Sequence, residues 1–395
     1  MYTLLLAVIY LAFISLGLPD SLLGAAWPVM HVDLGASVSY AGAVTIIISI
    51  GTVFSSLLSD RLTNRFGAGK VTFISVLLTA VALLGFSASD SFIEICLWAI
   101  PYGLGAGAVD AALNNYVALH YTSRHMSWLH CFWGVGAAIG PYIMGYCLTG
   151  GDWRGGYRII SCLQFGLSAI IMLSLPLWKK RSAETAAEES EERALGLIDT
   201  LKLRGLPLVL VAFFAYCAVE QTSILWASSY LSQYRGISED AAASFASLFF
   251  LGITAGRFLN GFIADKLGDK KMIRIGIIIM AVGAIAVGIP IGSNILTLIG
   301  LVVVGLGCAP VYPCIIHATP DNFGRENSQA AIGVEMASAY IGTTVTPPLF
   351  GLIAEHISIG LYPLYIFLFA AVALALTEIS SVVVNKCRNY EPSES

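Results

Sequence analysis

Polar side chains that could bind a solute or a proton lie within an apolar stretch of helical character. The stretch Pro101–Tyr116, PYGLGAGAVDAALNNY, contains Asp110, then Asn114 one helical turn later, and Asn115. Asp110 and Asn114 share a helix face, and a protonatable acceptor beside an amide suits a hydroxyl-rich ligand. A structural bond to another helix is the alternative for Asp110, and packing explains Asn115 equally well.

A second carboxyl group follows a proline in the first apolar stretch. Asp20 stands in LGLPDSLLGAAWP, where Pro19 removes a backbone donor and frees a carbonyl group. A carboxyl group inside a membrane is costly unless it faces water, a partner or a proton. We therefore expect Asp20 and Asp110 to bind hydroxyls and a coupling proton, and we favour Asp110 for the proton. Sodium remains an alternative ion, and a position at the headgroup level is the alternative for Asp20.

Aromatic and polar residues of other apolar stretches complete the candidate solute site. The rings of Trp27, Trp133 and Trp226 could lie against the C–H face of a sugar, although packing explains each of them as well. His130 could titrate near neutral pH or could link two helices by a hydrogen bond. The remaining candidates are Glu220, Gln221 and Tyr312.

The composition is that of a polytopic membrane protein. Of the 395 residues, 57% are hydrophobic and 12% are charged, whereas a soluble domain has about 25% charged residues. The net charge of −4 argues against a nucleic-acid partner. The eight cysteines form no CxxC pair, and no HExxH or GxSxG motif is present. We therefore expect no metal, no bound cofactor and no enzymatic activity.

Twelve apolar runs are long enough to span a bilayer. They cover roughly 3–28, 38–59, 71–88, 92–119, 126–149, 157–178, 206–231, 239–264, 272–291, 294–317, 327–354 and 360–384. The predicted fold class is an all-α polytopic membrane protein with twelve transmembrane helices in two pseudo-symmetric six-helix bundles. The predicted domains are a first bundle over 1–178, a linker over 179–205, a second bundle over 206–385 and a tail over 386–395.

Lysine and arginine predict the orientation of the chain. They concentrate in the even-numbered loops and the tail, so both termini and the linker should lie in the cytoplasm. The short loops favour the plasma membrane of a bacterium, that is, its inner membrane. We expect the partners to be the lipid bilayer and a small-molecule solute, and we expect a monomer.

The two halves of the chain repeat. GTVFSSLLSDRL at 51–62 matches GRFLNGFIADKL at 256–267, a displacement of 205 positions (60 to 265), and GLGAG at 103–107 matches GLGCA at 305–309. Tyr312 then corresponds to Asp110, which indicates that only one half keeps the carboxyl group. Such internal repeats are typical of carriers that bind solute near the midplane and work by alternating access.

The repeated motif resembles a signature of the major facilitator superfamily. SDRLTNRFGAGK at 59–70 resembles its loop between spans two and three, and GRFLNGFIADKLGDKK at 256–271 resembles the second copy. Ser56 replaces a common glycine, and we expect an extra residue or two after Asp60. The resemblance implies a cytoplasmic latch formed by Asp60, Arg61, Arg65, Arg257, Asp265 and Lys266, with Glu335 as a further gate residue. Charge that only orients the spans is the alternative.

Within that superfamily the chain is most similar to the fucose–proton symporter branch. The similarity rests on Asp20, on Asp110 with Asn114, and on the LHCFWGVGA run of span five. It implies import of a monosaccharide or related polyol coupled to protons. An exporter or flippase of drugs or lipids on the same fold is the first alternative, and a non-transporting sensor is the second.

Overall fold

The computed structural model describes residues 2–20, 22–37, 40–150, 152–185, 195–290 and 294–390. The first helices are α1 (Tyr2–Asp20), α2 (Leu22–Asp33), α3 (Tyr40–Phe66), α4 (Ala68–Ala88), α5 (Phe92–His120), α6 (Ser123–Leu148) and α7 (Trp153–Thr185). They are followed by α8 (Leu197–Leu201), α9 (Leu206–Gln233), α10 (Glu239–Leu267), α11 (Asp269–Gly288), α12 (Ile295–Phe323), α13 (Ser328–Ile353) and α14 (Tyr362–Tyr390). A π-helical segment, Ala354–Ser358, and a 3-10 turn, Ile359–Leu361, join the last two. No strand occurs within these ranges.

The predicted class of an all-α polytopic membrane protein is confirmed. Eleven stretches of the described residues are long and apolar enough to cross a membrane. The last of them, Ser328–Asn385, is 58 residues long and contains both α13 and most of α14. The first stretch, Leu4–Asp33, contains α1 and α2.

The charged repeat motif is helical almost to its end. Asp60 lies within α3 and Asp265 within α10, and each helix stops just before a glycine with positive φ, Gly67 at 81° and Gly268 at 77°. Seven positions lead from Asp60 to Gly67, but only three lead from Asp265 to Gly268. The prediction of an extra residue or two is therefore wrong: the insertion is four residues, which adds about one turn to α3.

The described chain clusters into two compact units. Unit 1 comprises Met1–Tyr116 with Leu129–Leu195, and unit 2 comprises Val117–Trp128 with Gly196–Ser395. The centre of the predicted linker, residues 186–194, lies outside the described residues, as do residues 391–395 of the predicted tail. The short helix α8 falls within the predicted linker.

Glycines in α5 and α12 allow close helix contacts at positions related by the repeat. A Cβ atom added to Gly103 would lie 2.3 Å from the carbonyl oxygen of Ile48 in α3. A Cβ atom added to Gly305 would lie 2.2 Å from the carbonyl oxygen of Phe249 in α10. Only glycine fits such contacts between backbones. The glycines of the repeated GLGAG and GLGCA segments therefore allow the same close helix packing in each unit.

Candidate functional site

The carboxyl group of Asp20 is held by two neutral donors in unit 1. Asp20 is the last residue of α1, and the indole Nε1 of Trp133 in α6 donates to its Oδ2 at 2.8 Å. The hydroxyl of Tyr102 in α5 donates to its Oδ1 at 3.4 Å. The Asp20 side chain is nevertheless exposed. It can therefore accept further hydrogen bonds from a bound molecule.

Two glycines bring α1 and α6 together beside Asp20. A Cβ atom on Gly17 would lie 2.1 Å from the carbonyl oxygen of Trp133. A Cβ atom on Gly136 would lie 2.0 Å from the carbonyl oxygen of Ile14. The two contacts are reciprocal and lie within one turn of Asp20 and Trp133. Close backbone packing therefore fixes the distance between the carboxylate and the indole.

Asp110 begins a second hydrogen-bonded chain in unit 1. The amide Nδ2 of Asn114 donates to Asp110 Oδ1 at 2.8 Å, so the two residues share a face of α5, as their spacing predicted. The Oδ1 of Asn114 lies 3.1 Å from the Nε2 of His130 in α6. Because this Oδ1 can only accept, His130 carries a proton on Nε2 in this arrangement.

The two carboxyl groups have partners on the same pair of helices. Asp20 accepts from Tyr102 of α5 and Trp133 of α6, and Asp110 of α5 is joined through Asn114 to His130 of α6. The ring of His130 also lies edge-on to Phe13 of α1, with 5.6 Å between centroids. Unit 1 therefore assembles Asp20, Asp110, Asn114, His130 and Trp133 from three helices.

Two of the other proposed solute contacts are buried in this conformation, and a third is half-buried with a backbone partner. Trp27 is 5% exposed and its ring contacts His31 and Phe92, so no open face remains for a solute. Asn115 is also buried, at 6% exposure. In unit 2 the indole of Trp226 donates to the carbonyl oxygen of Pro347 at 2.9 Å.

Glu220 is the centre of a different arrangement in unit 2. The guanidinium of Arg257 in α10 donates from Nη2 to Glu220 Oε1 in α9 at 3.0 Å. The two side chains are 4% and 12% exposed. Arg257, expected in the latch, thus neutralises a residue expected at the solute site. Gln221, the next residue of α9, is half-buried.

Tyr312, the repeat counterpart of Asp110, is surrounded by aromatic and sulfur groups. Its hydroxyl donates to the sulfur of Met336 at 3.3 Å. Its ring lies edge-on to Phe213 and to Tyr216, with centroids 4.7 and 6.3 Å away. This position of unit 2 therefore has no acidic group where unit 1 has Asp110.

The latch residues have different partners in the two units. In unit 1, Asp60 accepts from the amide of Asn64 at 3.0 Å, while Arg61 and Arg65 are exposed. In unit 2, Asp265 pairs with Arg124 at 3.2 Å, and Lys266 is exposed. A latch that joins both copies of the motif stays a prediction.

Asp265 also caps the N-terminus of α6. Its Oδ1 accepts from the backbone N–H of Arg124 at 3.0 Å, and its Oδ2 accepts from the hydroxyl of Thr122 at 3.2 Å. A carboxylate is favourable at a helix N-terminus because unpaired N–H groups point at it. Thr122 and Arg124 belong to the Val117–Trp128 segment of unit 2, and this cap holds the segment against α10.

A polar cluster that the sequence analysis missed continues this contact one turn later. Asp269 accepts from the hydroxyl of Ser123 at 2.6 Å and is joined to His317 Nδ1 at 2.7 Å. The Nε2 of His317 lies 3.0 Å from the carbonyl oxygen of Tyr121. Asp265 lies near the end of α10 and Asp269 begins α11, but nothing in the sequence pointed to His317.

The described residues offer no group of three or more His, Cys, Asp or Glu side chains suited to a metal ion. The arrangement of unit 1 suits a different chemistry. It combines an exposed carboxylate, a half-buried indole and a second acid joined to an amide and an imidazole. Such groups can bind hydroxyls and can hold or release a proton.

Comparisons with known proteins agree with the fold and with a transport role. The family model of the Major Facilitator Superfamily matches residues 9–226 and 208–385. The cis,cis-muconate transport protein of Acinetobacter baylyi is 25% identical over 368 residues, which cover 88% of this chain and 84% of that protein.

Two solved structures have the same fold. A structure of the proton:xylose symporter XylE has a TM-score of 0.78 at 14% identity, with 97% of this chain and 95% of that chain covered. A structure of the E. coli fucose:proton symporter FucP has a TM-score of 0.73 at 16% identity, with 96% and 98% covered. At these low identities, the two structures show only that the fold is shared. The family model matches most of the sequence and therefore shows the family. The chain therefore belongs to the major facilitator superfamily and is a multi-pass membrane protein with the fold of small-molecule transporters.

Proposed function

We propose that the protein is a secondary active transporter that imports a monosaccharide or related polyol together with protons. The observation that carries this proposal is the presence of two acids in unit 1, Asp20 and Asp110, which are held by the neutral donors Trp133, Tyr102 and Asn114. The fold likeness to symporters of xylose and fucose supports the choice of solute and ion.

Asp20 is proposed to bind hydroxyl groups of the solute. Its carboxylate is exposed and already oriented by the indole of Trp133. An indole beside a carboxylate can receive the apolar face of a sugar while the carboxylate accepts from its hydroxyls. Trp27 has no such face available, so Trp133 is the tryptophan proposed to contact the solute.

Asp110 is proposed to carry the coupling proton. Protonation removes one of the two negative charges of the site, and an uncharged acid is easier to close away from water. Asn114 can remain bonded to a neutral or charged Asp110 because an amide both donates and accepts. Alternating access then releases the solute and the proton on the other side of the membrane.

A solute that carries a carboxylate is the second candidate. Arg257 is a buried cation in unit 2, and an arginine binds carboxylates well. The relative from Acinetobacter baylyi, which is named for the transport of cis,cis-muconate, supports this second candidate. Such a solute would have to compete with Glu220 for the guanidinium.

Uptake into proteoliposomes tests the function. Labelled monosaccharides, sugar acids and dicarboxylates are offered with an inward proton gradient, with a sodium gradient and with neither. We expect one neutral sugar or polyol to accumulate with the proton gradient alone. Accumulation only of acids would favour the second candidate. Accumulation of none, together with quenching of tryptophan fluorescence by cationic amphiphiles, would favour an exporter.

The cellular setting is proposed from the sequence. The protein would lie in a bacterial inner membrane as a monomer, with both termini and the linker between the two bundles in the cytoplasm. Thiol labelling of single cysteines placed in the linker and in the odd-numbered loops, on intact cells and on inverted vesicles, tests this orientation.

A further inference from the structure

Glu335 lies deep inside unit 2 with one polar partner. It stands two turns into α13 and is 0% exposed. The hydroxyl oxygen of Thr319 in α12 lies 2.8 Å from its Oε2. Its Oε1 is buried and has no hydrogen-bond partner among the described residues. The N-terminus of α13 gives little help, because the favourable effect of a helix end fades within the first turn.

The surfaces around Glu335 are uncharged. Residues three and four positions away share its face of α13, and they are Ala331, Ile332, Ser338 and Ala339. The face of α12 that contains Thr319 continues in Ile315, Ile316, Asn322 and Phe323. Ser338 donates to the carbonyl oxygen of Leu210 in α9, so the apolar start of that helix, Leu206–Leu210, packs at this level.

Neither carboxyl oxygen of Glu335 has a cation as its partner among the described residues. Arg325, in the loop before α13, donates to the carbonyl oxygen of Leu119, and Glu355 and His356 follow the far end of α13. Asp199 of α8 pairs with Lys202, Glu220 of α9 pairs with Arg257, and His317 of α12 pairs with Asp269. His317 and Asp321 are each two residues from Thr319, which places them on the other side of α12. The remaining titratable groups on these helices are phenols and thiols: Tyr216, Cys217, Tyr230, Cys308, Tyr312 and Cys314.

The hydrogen-bond geometry fits a protonated acid. The hydroxyl of Thr319 has one proton, and its oxygen lies 2.8 Å from Glu335 and 3.1 Å from the carbonyl oxygen of Ile315. A protonated Glu335 donates to Thr319, which then donates to Ile315, so both contacts are satisfied. An ionised Glu335 would have one neutral donor for a whole buried charge, and a buried charge without a partner is very costly.

We propose that Glu335 is a proton-binding site of unit 2, separate from the acids of unit 1. Its proton stabilises the packing of α9, α12 and α13 seen here. Because protonation and this packing favour each other, any movement that hydrates Glu335 releases the proton. Proton binding at Glu335 does not depend on the proposed transport function. Only the use of this proton as a coupling step in transport rests on that function.

Infrared spectroscopy of the full chain in lipid nanodiscs tests proton binding directly. Carboxyl-labelled ¹³C-glutamate separates the glutamic acids from Asp20 and Asp110. We expect the wild type at neutral pH to show the carbonyl band of a protonated glutamic acid, and we expect Glu335→Gln to lack it. A band of equal intensity in both proteins would overturn the proposal, and so would the absence of the band from the wild type.

Two further variants make the assignment specific. Glu94→Gln is the matched control, because Glu94 is an exposed residue of α5, and the band should persist. Thr319→Val removes the hydroxyl but keeps the shape, so the band should persist and shift towards that of a free acid. An unshifted band in Thr319→Val would assign the proton to another glutamate, even if Glu335→Gln does not fold.

Hydrogen–deuterium exchange tests the link between proton and packing. After correction for intrinsic base catalysis, exchange of the amides in α13 should speed up with rising pH in the wild type and stay constant in Glu335→Gln. An identical pH response in both would contradict the link. Failure of all sugar uptake alongside a positive infrared result would refute the proposed function and leave the proton site standing.

Discussion

Asp20 in unit 1 and Glu220 in unit 2 are held in opposite ways. In unit 1, Asp20 is held by the neutral donors Trp133 and Tyr102. In unit 2, Glu220 is neutralised by Arg257. An acid without a cation can gain or lose a proton as its surroundings change, whereas a paired acid keeps its charge. The comparison assigns proton chemistry to acids without a cation, such as Asp20 and Asp110, and a fixed charge to the Glu220 pair.

The aspartates of the repeat motif, Asp60 and Asp265, also have different kinds of partner in the two units. Asp60 is bonded to Asn64 on its own helix, whereas Asp265 is bonded to Thr122 and Arg124 on a distant segment. Four additional residues carry α3 one turn past Asp60, and this turn provides Asn64. One copy of the motif therefore makes a local bond, and the other copy makes a long-range contact.

The largest effect is expected from breaking the ion pair of unit 2. Arg257→Met leaves Glu220 buried without a cation, so the free energy of unfolding should fall by about 3–5 kcal/mol. Chemical denaturation in detergent micelles measures it. Adding Glu220→Gln should restore most of the loss. A double variant as unstable as the single one would show that Arg257 acts through packing alone.

The exposed pair in the same unit is the control. Lys202 and Asp199 are 70% and 63% exposed, so Lys202→Met should cost less than about 1 kcal/mol. A loss equal to that of Arg257→Met would remove the distinction between buried and exposed pairs.

The next effect concerns the donor to Asp20. Trp133→Phe removes a hydrogen bond to a charged group, worth about 1.5–3 kcal/mol. We expect the half-saturation concentration for solute uptake to rise about tenfold or more, because 1.4 kcal/mol corresponds to about a factor of ten. Trp226→Phe is the matched control in unit 2, since its indole bonds to Pro347. Equal changes in both variants would argue against a solute contact at Asp20.

A smaller effect is expected from the backbone contact that positions this donor. Gly136→Ala places a methyl group where only 2.0 Å is available beside Ile14, and the strain should cost about 1–3 kcal/mol. Thermal unfolding measures it. Gly145→Ala on the same helix has nothing within 4 Å and should be neutral or slightly stabilising. Equal melting temperatures for the two variants would contradict the close contact of α1 and α6.

The smallest effect is expected from removing the exposed guanidinium of Arg124 that pairs with Asp265. Arg124 is 44% exposed, and its backbone N–H also binds Asp265, so Arg124→Gln should cost about 0.2–1 kcal/mol. Asp265→Asn, which weakens every bond of the cap, should cost more. Chemical denaturation compares them, and the reverse order would mean that the guanidinium dominates the contact.

Local patterns predicted what depends on local sequence. Apolar runs predicted the membrane spans. The spacing of Asp110 and Asn114 predicted that they share a helix face, and there they form a hydrogen bond. The partners of Asp20 and Arg257 lie up to 113 positions away, so only helix packing reveals them. Trp27 resembled Trp133 in the sequence, and only its surroundings show that its ring is enclosed. The repeat placed Arg257 in the same motif as Asp265, but Arg257 bonds to Glu220, whereas Asp265 bonds to Arg124.

The measurement that tests the central claim most directly is solute uptake by Asp110→Asn in proteoliposomes. Accumulation driven by a proton gradient and exchange of labelled for unlabelled solute are followed in parallel. If Asp110 carries the coupling proton, the variant loses accumulation and keeps exchange, because the amide still bonds to Asn114 but cannot release a proton. Accumulation at the wild-type level, with exchange unchanged, would contradict the assignment of the proton to Asp110.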